Sequence, residues 1–311
     1  MARLTTLTDP DIDSIAEIYQ IEINHYQPIH GGDENSSFLL KGADQDHVLT
    51  FYEKRSIMGV EQVSHLLRHL EANDFHTNRV LATKAGSYVP YFREKPMLLK
   101  TWIPGVTLRD SVQSDFRSIG RAIADLHQIP APPSLRREHP YGLNSMVDAC
   151  GLGNDLEYET WLAEKVAYLH DNIPLDLPRA LIHGDLFDDN IIYFQGRFQA
   201  LIDFGDACHY IRAYDLGSVL FGACMVDGRL DIDRAADVMD GYQGRLGIES
   251  GERESLQFFA IYAGTAISAW HYVHTHVGKP AGSRLDKYKH AAARTDQLFN
   301  LAPSLFNLLL N

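Results

Sequence analysis

Two short apolar runs, residues 191–194 and 198–202, face each other across Gln195-Gly196-Arg197 in the second half of the chain. Apolar runs of four or five residues around a Gly-containing turn are the signature of a β-hairpin. This one is bracketed by polar clusters. His183-Gly184-Asp185 and Asn190 precede it, and Asp203-Phe204-Gly205-Asp206 follows it. A hairpin returns the chain close to its start, so Asp203 is expected beside Asn190. Six specified positions at about one in twenty each make a chance match rare, on the order of 10⁻⁸ per starting point.

The rest of the chain places this hairpin in a larger helical region. Residues 1–103 read as mixed α and β. Helical spacing covers 11–25 and 59–72, and strands are expected at 37–41, 47–53, 87–92 and 96–102. Ile103-Pro104-Gly105 breaks the pattern. From there helices are expected at 114–128, 157–171, 215–226, 231–242, 252–276 and 284–301. The expected fold class is α+β with two lobes: a small β-rich lobe, 1–103, and a larger mainly helical lobe, 104–311.

Composition excludes several classes of function. The 311 residues are 45% apolar and 22% charged, which is ordinary globular usage. The net charge of −13 disfavours DNA, RNA and anionic membrane as partners. No apolar run reaches the ~18 residues of a membrane span, and the first residues lack the apolar core of a signal peptide. Three cysteines without a Cys-x-x-Cys pair are too few for a disulfide framework and suit the cytoplasm. His65 and His69, four apart, lack the glutamate of a zinc-protease helix. His271, His274 and His276 share an aromatic helix and read as packing or pocket-lining residues, and Asp227–Asp233 lacks the spacing of a calcium loop.

The spacing His-x-Asp-x-x-x-x-Asn followed by Asp-Phe-Gly is that of a phosphoryl-transfer loop and its metal site. A carboxylate must reach the acceptor hydroxyl. An amide oxygen and a second carboxylate must reach the magnesium ions that bridge the ATP phosphates. With Tyr214-Asp215-Leu216-Gly217 added, the pattern resembles the aminoglycoside phosphotransferase and choline kinase superfamily, small-molecule kinases with a protein-kinase-like fold. Gly32-Asp33-Glu34-Asn35-Ser36-Ser37-Phe38, His47–Lys54 and Asp185–Asn190 look most like its type II homoserine kinase branch.

The resemblance implies a role for each matching residue. Asp185 is the catalytic base or hydroxyl-orienting carboxylate, and His183 braces its loop. Asn190 and Asp203 hold Mg²⁺. Asp215 hydrogen-bonds the loop backbone, with a plain helix N-cap as the alternative. Gly32, Asn35 and Ser36 belong to a turn over the ATP phosphates. Residues 99–103, with Lys100 and Trp102, form the hinge that meets adenine. Thr50 stands where the third-strand lysine is expected. Lys54 has the same strand parity as Thr50 if the strand runs that far. Glu61 is the helix partner for that position, with Glu53 a rival. Asp206 is a candidate for a metal or for a cationic group of the substrate, and the acidic loop residues Asp188, Asp189 and Asp206 suit an amino-bearing substrate.

The expected reaction is transfer of the ATP γ-phosphoryl group to a hydroxyl of a small amino-bearing metabolite. Homoserine is the acceptor closest by resemblance. Choline, ethanolamine, a hydroxylated amino acid, a thioribose and an aminoglycoside stay open. So do a protein kinase, which lacks its Ala-Pro-Glu segment here, and a non-catalytic nucleotide-binding module. Oligomeric state is not legible.

Overall fold

The computed structural model describes residues 5–29, 34–110, 115–174, 176–276 and 286–309. It falls into two compact units, Met1–Pro104 and Gly105–Asn311.

The first unit is built on a five-stranded antiparallel sheet. Its elements are α1 (Asp9–Tyr19), β1 (His25–Ile29), β2 (Asn35–Lys41), β3 (His47–Tyr52), α2 (Ile57–Ala72), β4 (Tyr91–Phe92) and β5 (Lys95–Thr101), with strand order β1-β2-β3-β5-β4. The helix α1 starts where the Asp11 carboxylate accepts from the backbone and hydroxyl of Thr8. It stops at Gln20, which turns left-handed at φ 54°. It is therefore shorter than the 11–25 pattern, and β1 occupies residues that pattern assigned to helix. Edge strand β1 is exposed at most positions and contains Pro28, so it lacks the alternation that betrays a strand.

Side-chain alternation divides the sheet cleanly. Phe38, Leu40, Leu49, Phe51, Met97 and Leu99 pack against Ile12, Ile15 and Tyr19 of α1. Register pairs Ser37 with Thr50, and Thr50 with Leu98, on the opposite face. The helix α2 starts at Ser56, whose side chain accepts from Gly59 N–H, and it buries Val60, Val63, Leu66, Leu67 and Leu70.

The second unit contains β6 (Val106–Thr107), α3 (Phe116–His127), α4 (Leu143–Ala149), α5 (Leu156–Asn172), β7 (Arg179–Ile182), β8 (Ile191–Phe194), β9 (Arg197–Leu201), β10 (Cys208–Ile211), α6 (Ala213–Gly222), β11 (Met225–Val226), β12 (Arg229–Leu230), α7 (Ile232–Gln243), α8 (Ser250–His276), α9 (Lys287–Phe299) and α10 (Pro303–Leu308). The strands form three small sheets, β6-β8-β9, β7-β10 and β11-β12. The β8–β9 hairpin closes through Gln195 and Gly196, both at positive φ (49° and 79°), with Phe194 paired to Arg197. Two left-handed residues match the twist of the flanking strands. The 215–226 helix expected from sequence ends earlier, because α6 stops at Gly222 and Met225–Val226 turns back through Asp227-Gly228 onto β12. No helix among the described residues is long and apolar enough to cross a membrane.

Helix crossings in this unit depend on glycine. A Cβ on Gly120 of α3 would lie 1.9 Å from the Val238 carbonyl oxygen of α7, and one on Gly241 of α7 would lie 2.0 Å from the Arg117 carbonyl oxygen of α3. The two helices thus touch backbone to backbone on both sides. Gly217 of α6 makes the same approach to Phe259 of α8, at 2.3 Å. Such contacts leave no room for a methyl group. Gly120→Ala is expected to cost about 1–3 kcal/mol of stability, read as a lower urea midpoint at an unchanged slope. An unchanged midpoint would contradict this backbone contact.

Candidate active site

The site residues of the second unit are set by one buried carboxylate. Strand β7 ends in the buried pair Leu181-Ile182 and delivers His183 and Gly184. Asp215, fully buried in the first turn of α6, accepts from His183 N–H at 2.7 Å and from Gly184 N–H at 2.9 Å. It is not the N-cap of α6, since Arg212 occupies that position. Its carboxylate meets His127 Nε2 at 3.2 Å, and His127 Nδ1 meets the Tyr242 hydroxyl at 2.9 Å. Burial alone would raise the Asp215 pKa. The hydrogen bonds from His127 and from the Gly184 N–H outweigh it and hold the carboxyl below its ordinary range. Gly184 sits at φ +81°, and a Cβ there would lie 2.7 Å from the Asp206 carbonyl oxygen, so the loop needs glycine at this point.

His183 joins the two polar clusters around the hairpin. Its Nδ1 accepts from Asp185 N–H at 3.2 Å, so its Nε2 carries the proton and donates to the Ile202 carbonyl at 2.8 Å. Its ring rests on Phe204, with centroids 4.5 Å apart. Asn190 donates from Nδ2 to Asp185 Oδ2 at 2.8 Å and to the Asp185 carbonyl at 2.9 Å. Its own carbonyl accepts from Ile202 N–H at 2.9 Å, which sets Asp203 next along the chain. Asp203 is exposed and left-handed (φ 64°, ψ 68°), a conformation rare outside glycine and frequent at functional sites. Its Oδ1 accepts from Gly205 N–H at 3.3 Å.

The electrostatics of this cluster favour a cation. Burial, followed by the charges of Asp206, Asp203 and Asp189, pushes half-buried Asp185 well above the usual carboxylate range. A divalent cation relieves that repulsion, and the donor set fits one: the Asp203 carboxylate and the Asn190 amide oxygen are hard oxygen ligands. Among the described residues no three His, Cys, Asp or Glu side chains gather into a metal-holding group. Mg²⁺ taken by one or two protein oxygens plus substrate phosphates needs no such group. Asp188 and Asp189 are committed elsewhere. Arg109 Nη2 contacts Asp188 at 2.6 Å and Asp189 at 3.3 Å. Asp188 and Asp189 thus share the Arg109 guanidinium, and Asp206 acts on Asp185 through its charge.

The candidates of the first unit separate by face. Thr50 Oγ1 meets Ser37 Oγ at 3.2 Å, and Asn35 shares the Ser37 side of β2. Ser36 points the other way, where it donates to Glu53 at 2.5 Å and accepts from Thr5 N–H at 2.9 Å. Glu53 is also held by Lys95. Ser36 is therefore corrected from a phosphate contact to a partner of the half-buried Glu53–Lys95 ion pair, and Glu53 is unavailable as a partner at the Thr50 position. The strand β3 ends at Tyr52, so strand parity does not reach Lys54, which is exposed in the following bend. Glu61 is exposed on α2, away from its buried stripe. Lys100 is half-buried opposite Val48, and Trp102, just past β5, donates its N–H to the Asp46 carbonyl at 3.0 Å. Gly32 lies outside the described residues.

Three contributors escaped the sequence reading. His127 follows Ile123 by four positions on the buried stripe of α3, and that spacing was a usable signal. Ser218, three residues after Asp215, accepts from Leu186 N–H at 3.2 Å. Tyr242 is distant in sequence and carries no local mark. Replacing Asp215 by Ala strands two backbone donors and His127 at once. The expected loss is about 3–5 kcal/mol, measured by urea unfolding; a loss below about 1 kcal/mol would contradict the central placement of this carboxylate.

Residues 25–259 match the model of the phosphotransferase enzyme family. The homoserine kinase of Phenylobacterium zucineum is 30% identical over 287 residues, spanning 87% of this chain and 88% of that protein. Among solved structures, a spectinomycin phosphotransferase in complex with ADP and spectinomycin superposes with a TM-score of 0.72 at 13% identity, covering 97% of this chain and 100% of that one. A microcompartment-associated aminopropanol kinase gives 0.71 at 18% identity, covering 94% and 97%. These structural likenesses show a kinase-like fold. The chain belongs to the phosphotransferase enzyme family, in its homoserine kinase branch, and is a kinase acting on a hydroxyl group of a small molecule.

Proposed function

We propose that this enzyme transfers the γ-phosphoryl group of ATP, with Mg²⁺, to the side-chain hydroxyl of homoserine. The observation that carries the reading is the Asp185–Asn190–Asp203 constellation in a chain alike over most of its length to a homoserine kinase. Nucleotide use is supported by the ADP in the spectinomycin phosphotransferase structure. The three cysteines are free thiols, which suits work in the cytoplasm.

Asp185 accepts a hydrogen bond from the acceptor hydroxyl and orients its oxygen toward the γ-phosphorus. That oxygen forms the new P–O bond as the bond to the ADP oxygen breaks, and the hydroxyl proton passes to Asp185. Asn190 Nδ2 fixes the carboxylate that does this. The Asn190 Oδ1 and Asp203 carboxylate hold Mg²⁺, which when bound neutralises charge on the phosphate oxygens. Asp206 takes the ammonium of the acceptor. In the first unit Asn35, Thr50 and Lys100 are the nucleotide contacts in this reading, and Thr50 supplies a neutral hydroxyl where a lysine is usual.

A coupled ADP-release assay with MgATP and a panel of homoserine, choline, ethanolamine, methylthioribose and kanamycin tests the reading. Homoserine is expected to give the highest kcat/KM. Asp185→Asn should lower kcat about 10²–10⁴-fold, and Asp203→Ala should abolish turnover at any Mg²⁺ concentration that saturates wild type. Turnover of an amino alcohol without turnover of homoserine would replace the acceptor. Unchanged kcat in Asp185→Asn would remove its assigned role.

A further inference from the structure

The segment between α3 and α4 reaches both polar clusters of the second unit. His139, 5% exposed, lies over Gly184: its Nδ1 accepts from Tyr141 N–H at 3.2 Å, so its Nε2–H donates to the Gly184 carbonyl, at 3.0 Å. Three residues earlier, Arg136 Nη2 donates to the Gly205 carbonyl at 2.6 Å, and the Arg136 carbonyl accepts from His209 N–H of β10 at 2.8 Å. One stretch of coil therefore grips the residue before Asp185 and the residue before Asp206. Those two backbones are themselves in close approach, since a Cβ on Gly184 would lie 2.7 Å from the Asp206 carbonyl oxygen and 3.4 Å from His139 Nε2.

The ring is held so that its proton cannot wander. It packs on Tyr214 of α6 with centroids 4.1 Å apart, and Tyr141, Tyr210 and Tyr262 surround it. Burial is the main reason its pKa falls to about 4, so the imidazole is neutral near pH 7 and presents one fixed donor. The N–H of Gly184 goes to Asp215 and its carbonyl goes to His139. Both polar groups of the left-handed residue preceding Asp185 are thus pinned by side chains from different elements.

We propose that His139 is a positioning residue for phosphoryl transfer: its Nε2–H fixes the Gly184 carbonyl and so aims the Asp185 carboxylate, with Arg136 fixing the facing Gly205 loop from the same segment. The inference rests on the reading of Asp185 as the group that orients the acceptor hydroxyl. A shift of about 1 Å in such a group costs on the order of 100-fold in rate.

Two variants separate this role from simple packing. His139→Phe keeps a ring against Tyr214 and loses the donor. His139→Gln loses the ring and places an amide N–H where Nε2–H was. With homoserine as acceptor, kcat per folded enzyme is expected to fall about 10- to 100-fold in His139→Phe at unchanged KM for ATP. His139→Gln should recover to within about threefold of wild type. In the same proteins without substrate, amide hydrogen exchange at Gly184 should quicken about tenfold in His139→Phe and not in His139→Gln. A packing role predicts the reverse order, with the phenylalanine variant closer to wild type in both readouts, and that order, or equal values in the two variants, overturns the proposal. The exchange readout needs no acceptor. Wild-type silence with homoserine would therefore count against the acceptor alone and leave His139 to be judged by Gly184 exchange.

Discussion

The Asp215 carboxylate is the point from which the second unit's chemistry is built. It is a buried charge, and a buried charge is tolerated only with full hydrogen-bond compensation. His183 N–H, Gly184 N–H and His127 supply it. Each partner is thereby fixed. The two backbone donors belong to the loop that carries Asp185, and His127 ties the same carboxylate to α3 and, through Tyr242, to α7. The loop is positioned by helices whose own separation is set by Gly120 and Gly241. A change in helix packing is therefore felt at Asp185 through a short chain of contacts.

In the second unit the charges divide into ion pairs and a carboxylate cluster around Asp185. Arg109 pairs with Asp188 and Asp189, and Arg212 pairs with buried Glu252 at 2.6 Å. Asp185 instead has its cost of ionisation raised by burial and then by the charges of Asp206 and Asp203. Such a cluster is unfavourable on its own, and positive charge beside it relieves the repulsion. Perturbed carboxylates of this kind concentrate where binding and chemistry occur.

The hairpin and the loop that precedes it were legible in the sequence because they are local. His183, Asp185, Asn190 and Asp203 lie on either side of one hairpin, and the turn at Gln195-Gly196 marks how the chain returns. Strand β1 was illegible because an exposed edge with a proline shows no alternation. Ser36 and Ser37 look equivalent in sequence, yet one residue of parity sends Ser36 to the Glu53–Lys95 pair and Ser37 to Thr50. Lys54 was a parity argument that failed where β3 ended. The pairing of Arg109 with Asp188 spans 79 residues, and no local pattern encodes a contact of that range. His139 sits in proline-rich coil without periodicity, so only the folded chain reveals its hydrogen bond to the Gly184 carbonyl.

The most direct test of the central claim is the phosphorus-31 NMR spectrum of the reaction of wild-type enzyme with MgATP and homoserine. Transfer to the side-chain hydroxyl predicts ADP together with an equal amount of a single phosphomonoester whose signal is split by an adjacent CH₂ group. Inorganic phosphate in place of that signal, or a phosphoester absent while ATP is consumed, would contradict the assignment of Asp185, Asn190 and Asp203 to phosphoryl transfer onto this acceptor.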